Sequence, residues 1–334
     1  MPLRLEAAVA LAERMLAAVP DRRDDALAVI NGLLGDHLDA AGSSLSIPLQ
    51  LLGPEREDLG ASTASLPATP THACLFVHGL SSTERLWLPE REDEAHVAYG
   101  PALSRTRGLV PLYARYNTGR HVSTNGQELA ARLEALCTAW PWLESLTIIG
   151  HSMGGLVARS ACHYGMLAGH AWVSRLRRMV LLGSPSHGAP LEQLAHVAAF
   201  TLDAIWNPWT KLVGKLINLR SAGIKDLRHG YVLDEDWRHR DVDVLALRRP
   251  RIATAPPGVR WSVALGRLGS PEGALGTVLG DGLVREASGR GVGIGNPEGV
   301  LPEARMQVFD GVSHAGLMWT PAVLEWLMVE LAET

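Results

Sequence analysis

The sequence predicts an α/β fold in which a mostly parallel central sheet is flanked by helices. Apolar runs such as residues 72–77 and 145–149 are continuous rather than alternating, which is typical of strands buried on both faces. Between such runs, apolar residues recur at helical spacing, as they do over residues 129–140. Strands buried on both faces and separated by helices indicate a parallel sheet.

The composition is that of a folded protein with a large core. Of the 334 residues, 47% are hydrophobic and 20% are charged, so we expect no extensive disorder. The length suits one large domain with an elaboration, or two ordinary domains. The net charge of -4 and the lack of a long basic run argue against nucleic acid as a partner.

The cysteine pattern predicts neither a disulfide framework nor a zinc site. Cys74, Cys137 and Cys162 are odd in number and lack Cys-x-x-Cys spacing. They lie in apolar stretches that resemble a strand or a helix, which favours buried free thiols. We expect neither a metal ion nor a cofactor.

Residues 1–70 are predicted to form an N-terminal helical extension and linker, followed by the main domain over residues 71–334. Residues 1–41 have two helical patterns separated by Pro and Gly signals. Residues 46–51 predict a short edge strand, because proline is poorly suited to a central strand.

The N-terminus lacks the features of a secretion signal. Arg4, Glu6, Glu13 and Arg14 interrupt the apolar stretch that such a signal requires. No run of about 18 or more apolar residues occurs, so we expect no transmembrane span. A cytoplasmic protein is the resulting expectation.

Strands and helices alternate through the main domain. The predicted strands are residues 72–77, 108–115, 145–149, 178–182, 259–265 and 304–308, and the predicted helices include residues 96–106, the stretch after residue 152 and a last helix opened by Thr320-Pro321. Residues 190–251 contain no clear strand and have helical apolar patterns, which predicts an inserted helical cap. The polar residues 115–120 leave two interpretations open, a rim of the site and a plain surface turn.

The stretch IIGHSMGG, residues 148–155, predicts a nucleophile at Ser152. Gly150-x-Ser152-x-Gly154 fits the G-x-S-x-G elbow and lies where that pattern must lie, between a strand and a helix. The glycines leave room for a tight turn that holds the serine in a strained conformation. A glycine-rich turn with an incidental serine is the alternative.

An elbow serine needs a base and an acid, which follow it in the chain order Ser, acid, His. His314 lies between the last strand and the last helix, where its loop can reach Ser152. Asp281, in a glycine-flanked loop, is the predicted acid, and Asp310 is the competitor, only four residues from His314. Three further histidines near the site do not fit the chain order: His78, His151 and His187.

Two backbone N–H groups are predicted to form the oxyanion hole. One belongs to Met153, the residue after the nucleophile, at the positive end of the following helix. The other belongs to Leu80, in the VHGL stretch that ends the strand of residues 72–77. An ordinary glycine turn after that strand is the alternative.

The motifs VHGL, GHSMGG, GSPSHGAP, GDGLV and SHAGL, in this order, resemble those of the α/β-hydrolase lipases and esterases. The similarity is greatest to bacterial triacylglycerol lipases and to hydrolases that resemble GPI inositol-deacylases, and it covers about residues 72–332. The resemblance implies an α/β-hydrolase fold with Ser152, Asp281 and His314 as triad. Leu80 and Met153 take the oxyanion positions, and the D-G-x-V context strengthens Asp281.

The sequence therefore predicts a serine carboxylester hydrolase that acts on apolar acyl esters. The cap, with Trp206 and Trp209, resembles a lid that presents an apolar face to acyl chains, although amphipathic helices often only pack on a core. We expect a small-molecule or lipid ester as substrate, with transient contact of the cap with a lipid surface as a further possibility. The alternatives are a thioesterase, an acyltransferase, an intracellular polyester depolymerase, or a non-catalytic binding protein of the same fold. The oligomeric state is not predicted.

Overall fold

One seven-stranded sheet organises the part of the chain that the structure describes. The computed structural model describes residues 5–17, 20–89, 93, 95–188, 221–238, 251, 253, 255–268, 286–289 and 304–332. The strands are β1 (Gln50–Leu52), β2 (Thr71–Val77), β3 (Val110–Arg115), β4 (Leu143–His151), β5 (Leu176–Leu182), β6 (Arg260–Arg267) and β7 (Arg305–Asp310). Their spatial order is β1-β3-β2-β4-β5-β6-β7. Only β1 is antiparallel to its neighbour, so the predicted mostly parallel sheet is confirmed.

Helices flank the sheet and alternate with its strands. They are α1 (Leu5–Ala17), α2 (Arg23–Ala40), α3 (Tyr99–Arg107), α4 (Val122–Ala139), α5 (Met153–Leu167), α6 (Trp172–Arg175), α7 (Ala222–His229), α8 (Asp234–Trp237), α9 (Glu286–Gly289) and α10 (Pro321–Glu330). The last begins at Pro321, as predicted, because a proline at the first helical position loses no helical hydrogen bond. Within the described residues, no helix is both long and apolar enough to cross a membrane.

The register of the parallel strands places their carboxyl ends at one edge of the sheet. Val77 of β2 lies opposite Gly150 of β4, and His151, the next residue, lies opposite Leu182 of β5. Leu182 in turn pairs with Ala264 of β6. The loops after β2, β4 and β5 therefore meet at this edge, which is where ligands bind in open α/β sheets.

Two hydrophobic clusters cover the two faces of the sheet. One includes apolar residues of α1, α2, α4 and α5, and the other includes residues of α3 and α10. The strands are apolar on both sides because both sides are covered. Cys74, Cys137 and Cys162 are buried free thiols, as predicted.

The N-terminal residues contribute directly to this core. Leu33, Leu34 and Leu38 of α2 are each 1% exposed or less. The predicted edge strand is present as β1, which is the first strand of the sheet order and pairs with β3. Helix α2 also approaches the loop after β2, because a Cβ at Gly32 would lie 2.0 Å from the Ser81 Oγ.

The described part of the predicted cap includes residues 221–238, which contain helices α7 and α8. Ser221 caps the N-terminus of α7, and its Oγ accepts a hydrogen bond from the Ile224 N–H. The same Oγ donates to the Gly32 carbonyl at 2.6 Å, which connects this segment to α2. Most of the remaining cap, including Trp206 and Trp209, lies outside the described residues.

We expect Gly32→Ala to destabilise the fold by about 1–3 kcal/mol through overpacking, although glycine-to-alanine changes inside a helix ordinarily stabilise it. The added methyl group would overlap the Ser81 Oγ. Urea unfolding of Gly32→Ala, Ser81→Gly and the double variant measures the coupling. The double variant should recover part of the loss, and purely additive effects would contradict this contact.

Candidate active site

The turn that contains Ser152 connects β4 to α5 at the carboxyl edge of the sheet. Ser152 has φ 54° and ψ -124°, in the positive-φ region that residues other than glycine rarely adopt. Its N–H donates to the Leu182 carbonyl at 2.9 Å, and its carbonyl accepts from the Gly155 N–H at 3.1 Å. The predicted strand–turn–helix is therefore present, with a strained serine whose N–H is bonded to the end of β5.

Glycines flank the turn because neighbouring backbone leaves no room for β-carbons. A Cβ at Gly150 would lie 2.6 Å from the Cα of Gly155. A Cβ at Gly154 would lie 2.2 Å from the Val77 carbonyl oxygen. Both distances are well inside van der Waals contact, so larger residues would push the turn away from β2.

The loop after β2 packs directly against Ser152. A Cβ at Gly79 would lie 3.0 Å from the Cβ of Ser152, so the backbone of Leu80 follows beside the serine. Met153 is the first residue of α5, where N–H groups have no helical acceptor. Among the described residues, neither the Leu80 nor the Met153 N–H donates a hydrogen bond to the protein. Two amide donors thus lie close to the serine, one of them at a helix N-terminus.

His314 lies in the loop between β7 and α10 and is only 6% exposed. Its ring packs on the end of β5, because a Cβ at Gly183 would lie 3.0 Å from the His314 Nδ1 and Cε1 atoms. Gly183 directly follows Leu182, the residue that accepts the Ser152 N–H. The predicted base and the predicted nucleophile therefore contact consecutive residues of the same strand end.

His151, next to Ser152, holds the His314 loop. Its Nε2 lies 3.0 Å from the His314 carbonyl oxygen, and since a carbonyl only accepts, Nε2 carries the proton. The two rings lie 4.6 Å apart between centroids. Burial, followed by the electrostatic effect of His314, lowers the pKa of His151 well below its ordinary value. His151 is therefore neutral and serves as a hydrogen-bond donor.

His78 is a second buried, neutral histidine at the site. It is fully buried, and burial lowers its pKa from the ordinary value of 6.5 to about 4. Its Nδ1 donates to the Gly79 carbonyl at 3.0 Å, and its ring stacks on Tyr116 at 4.4 Å between centroids. This arrangement gives His78 a role in shaping the loop of Leu80.

Of the two candidate acids, the structure describes Asp310 and does not describe Asp281. Asp281 lies outside the described residues. Asp310 is the last residue of β7, and its carboxylate forms an ion pair with Arg267 at 3.4 Å. The Asp310 side chain is 52% exposed, so it faces solvent beside its own strand.

Sequence reasoning did not find the role of His151 or of the segment of residues 115–120. His151 does not fit the chain order Ser, acid, His, and no local pattern shows that its ring reaches a carbonyl 163 residues away. In the segment, Tyr116, Asn117 and Thr118 are each 1% exposed or less, so it is not a surface turn. The burial of these three consecutive residues distinguishes a structural segment from a surface turn. Burial of polar residues cannot be read from the sequence alone.

Comparison with known proteins agrees with this architecture. A family model described as a PGAP1-like alpha/beta domain matches residues 112–261, less than half of the chain. No curated protein matches the sequence significantly.

Solved structures of bacterial enzymes share the fold. The propeptide form of the Bacillus licheniformis lipase BlEst2 is 19% identical with a TM-score of 0.50, over 79% of this chain and 50% of that chain. The mature form of the same lipase has a TM-score of 0.49 and 19% identity, over 79% of this chain and 92% of that chain. Naproxen esterase from Bacillus subtilis has a TM-score of 0.44 and 15% identity, over 79% of this chain and 85% of that chain. The chain has the α/β-hydrolase fold that its motifs predicted.

We expect acid to destabilise the fold through His78. Its folded-state pKa is depressed, so its stabilising contribution is complete above pH 6.5 and is lost as the pH falls toward 4. By pH 4.5 the loss is about 2.5 kcal/mol for this group. Urea unfolding at pH 7.5, 5.5 and 4.5 measures it.

His78→Asn removes the titration and retains a side-chain donor for the Gly79 carbonyl. Its unfolding free energy should therefore decrease less between pH 7.5 and 4.5 than that of the unmodified protein. His72→Asn, at an exposed position of β2, is the control for replacing a histidine with asparagine. Equal pH slopes in all three proteins would refute the role of His78.

Proposed function

We propose that this chain is a serine carboxylester hydrolase that cleaves apolar acyl esters through an acyl-enzyme on Ser152. The observation that supports this most is the strained turn itself. A serine at φ 54° costs on the order of 1–3 kcal/mol, and such strain persists where it serves a purpose. The nearby backbone N–H groups of Leu80 and Met153 have no acceptor among the described residues, which leaves them available to a substrate.

In the proposed mechanism, His314 acts first as base and then as acid. It accepts the Ser152 proton as the Oγ attacks the ester carbonyl carbon, and it then protonates the leaving alcohol. Water attacks the acyl-enzyme by the same sequence and releases the acid. The bond from His151 to the His314 carbonyl supports this role, because it fixes the backbone that bears the imidazole.

The negative charge of the tetrahedral intermediate is assigned to the N–H groups of Leu80 and Met153. Fixed amide donors in a buried site stabilise developing charge without reorganisation. Ser152 is 5% exposed, Leu80 5% and Met153 0%, so the charge would develop away from bulk water. The positive end of α5 adds to the stabilisation.

Asp281 is the proposed acid that orients His314. The ion pair of Asp310 with Arg267 supports this choice, because that carboxylate already has a cationic partner and faces solvent. The resemblance of GDGLV to the acid context of lipases supports it as well.

The proposed substrate is an ester with an apolar acyl group, which the cap would cover. The lipase name of one structural neighbour, the propeptide form of BlEst2, supports an ester substrate. A lipid surface as the source of that ester remains part of the proposal, since the apolar patterns of the cap suit transient contact with one.

We expect Ser152→Ala to abolish hydrolysis of a chromogenic p-nitrophenyl ester series from acetate to palmitate. The substitution removes the hydroxyl that is the proposed nucleophile. Ser174→Ala is a matched control, because Ser174 is exposed and its Oγ donates a hydrogen bond to the nearby Ala171 carbonyl at 2.8 Å. Full activity of the Ser152 variant would eliminate the serine mechanism, and the acyl length of fastest turnover identifies the substrate class.

We expect Asp281→Asn to lower kcat by at least about 100-fold, because the amide cannot stabilise the imidazolium form of His314. Asp310→Asn is the control for a carboxylate close to His314 in sequence, and it should keep the activity of the unmodified enzyme. Steady-state kinetics on the preferred ester compares the two. The opposite ranking would transfer the acid role to Asp310.

A further inference from the structure

Residues 115–120, RYNTGR, begin at the last residue of β3 and form a polar stretch with no evident purpose in the sequence. The structure buries its centre, and buried polar groups need hydrogen-bond partners. Two of these partners lie in the oxyanion loop, defined here as residues 78–82. Tyr116 donates its hydroxyl proton to the His78 carbonyl at 2.6 Å. Thr118 accepts the Ser81 N–H on its Oγ1 at 3.1 Å.

These two bonds bracket one particular peptide group. The Leu80 N–H belongs to the peptide unit between Gly79 and Leu80. Tyr116 fixes the preceding unit through the His78 carbonyl, and Thr118 fixes the following unit through the Ser81 N–H. Because peptide units are planar, fixing both neighbours restricts rotation of the unit between them.

The carbonyl of the bracketed unit is held as well. The Gly79 oxygen accepts from the Ser82 Oγ at 2.7 Å and from the His78 Nδ1 at 3.0 Å. The carbonyl and the N–H of a trans peptide unit point in opposite directions. A Gly79 carbonyl held on one side therefore aims the Leu80 N–H to the other side, where no described acceptor takes it.

Ser81 shows that this loop needs external support. Its φ is 56°, a left-handed conformation that residues other than glycine rarely adopt. Such a conformation persists only when its surroundings determine it. The hydrogen bond to Thr118 and the contact with Gly32 of α2 hold Ser81 in this conformation.

The supporting segment is itself anchored on two helices. The Asn117 Nδ2 donates to the Gly35 carbonyl of α2 at 2.9 Å. The Asn117 carbonyl accepts from the Asn125 Nδ2 of α4 at 2.9 Å. Arg115, at the end of β3, forms a two-bond ion pair with Glu84, which is fully buried just after the oxyanion loop. The segment is therefore rigid enough to position its neighbour.

We propose that Thr118 is a positioning residue that aims the Leu80 N–H at the oxyanion, with Tyr116 as its partner at the other end of the loop. This inference rests on the proposed ester hydrolysis. Thr118 acts through Leu80 and touches no reacting atom, so its loss weakens binding of the transition state more than binding of the ester. Loss of one oxyanion donor typically costs 100-fold to 1000-fold in turnover, and misalignment should cost part of that.

The test compares Thr118→Val, which keeps the shape and removes the acceptor, with Thr118→Ser, which keeps the hydroxyl. We expect Thr118→Val to lower kcat by about 10–100-fold with KM changed by less than about 3-fold. Thr118→Ser should recover most of kcat. Binding of an alkyl boronic acid, which forms a tetrahedral adduct with an active serine, should weaken in Thr118→Val by a similar factor.

Thr106→Val is the matched control, because it removes a hydroxyl that bonds to the Ala102 carbonyl at 2.8 Å on α3. It should leave kcat unchanged. Tyr116→Phe loses the hydrogen bond to the His78 carbonyl. Like Thr118→Val, it should lower kcat.

Three outcomes would overturn the inference. Unchanged kcat in Thr118→Val, in an enzyme that hydrolyses esters, would remove the positioning role and leave the proposed function intact. Equal losses in Thr118→Val and Thr118→Ser, accompanied by a lower Tm in both, would reduce Thr118 to a packing role. Absence of ester hydrolysis in the unmodified protein would overturn the proposed function, and the inference with it.

Discussion

Backbone contact between the Ser152 turn and the loop after β2 is the constraint on which the site depends. Gly154 approaches the carbonyl oxygens of Val77 and His78 so closely that a Cβ there would lie 2.2 and 2.5 Å from them. Gly79 approaches Ser152 itself at 3.0 Å by the same measure. Since packed interiors yield little, these contacts determine where the Leu80 and Met153 amides lie relative to the serine. The close approach of the Ser152 turn to the loop after β2 accounts both for the strained backbone of Ser152 and for the glycines around it.

Buried histidines contribute to the site as neutral donors. His78 and His151 each have a lowered pKa because burial disfavours the charged ring. Each donates one N–H to a carbonyl, of Gly79 in one case and of His314 in the other. One bond shapes the oxyanion loop and the other holds the backbone of the proposed base. Because both rings are neutral, neither adds a positive charge beside Ser152.

Helix α2 connects parts of the chain that are far apart in sequence. Gly32 and Gly35 allow it to pack on the oxyanion loop and on its supporting segment. Its Asp36 carboxylate accepts from the Ala222 N–H at 2.9 Å, and its Gly32 carbonyl accepts from the Ser221 Oγ, at the start of α7. The N-terminal helices therefore support the loop that bears Leu80 and also contact the described part of the cap.

The sequence alone determined the features that depend on neighbouring residues. Continuous apolar runs predicted the strands, helical spacing predicted α4 and α10, and Gly150-x-Ser152-x-Gly154 predicted the tight turn, because each is a local pattern of size and polarity. The tertiary structure decided which buried polar groups meet. The bonds of Tyr116 to His78 and of His151 to His314 span 38 and 163 residues. Such partners depend on sheet register and on the path of each loop, which result from packing of the whole chain and leave no local pattern in the sequence.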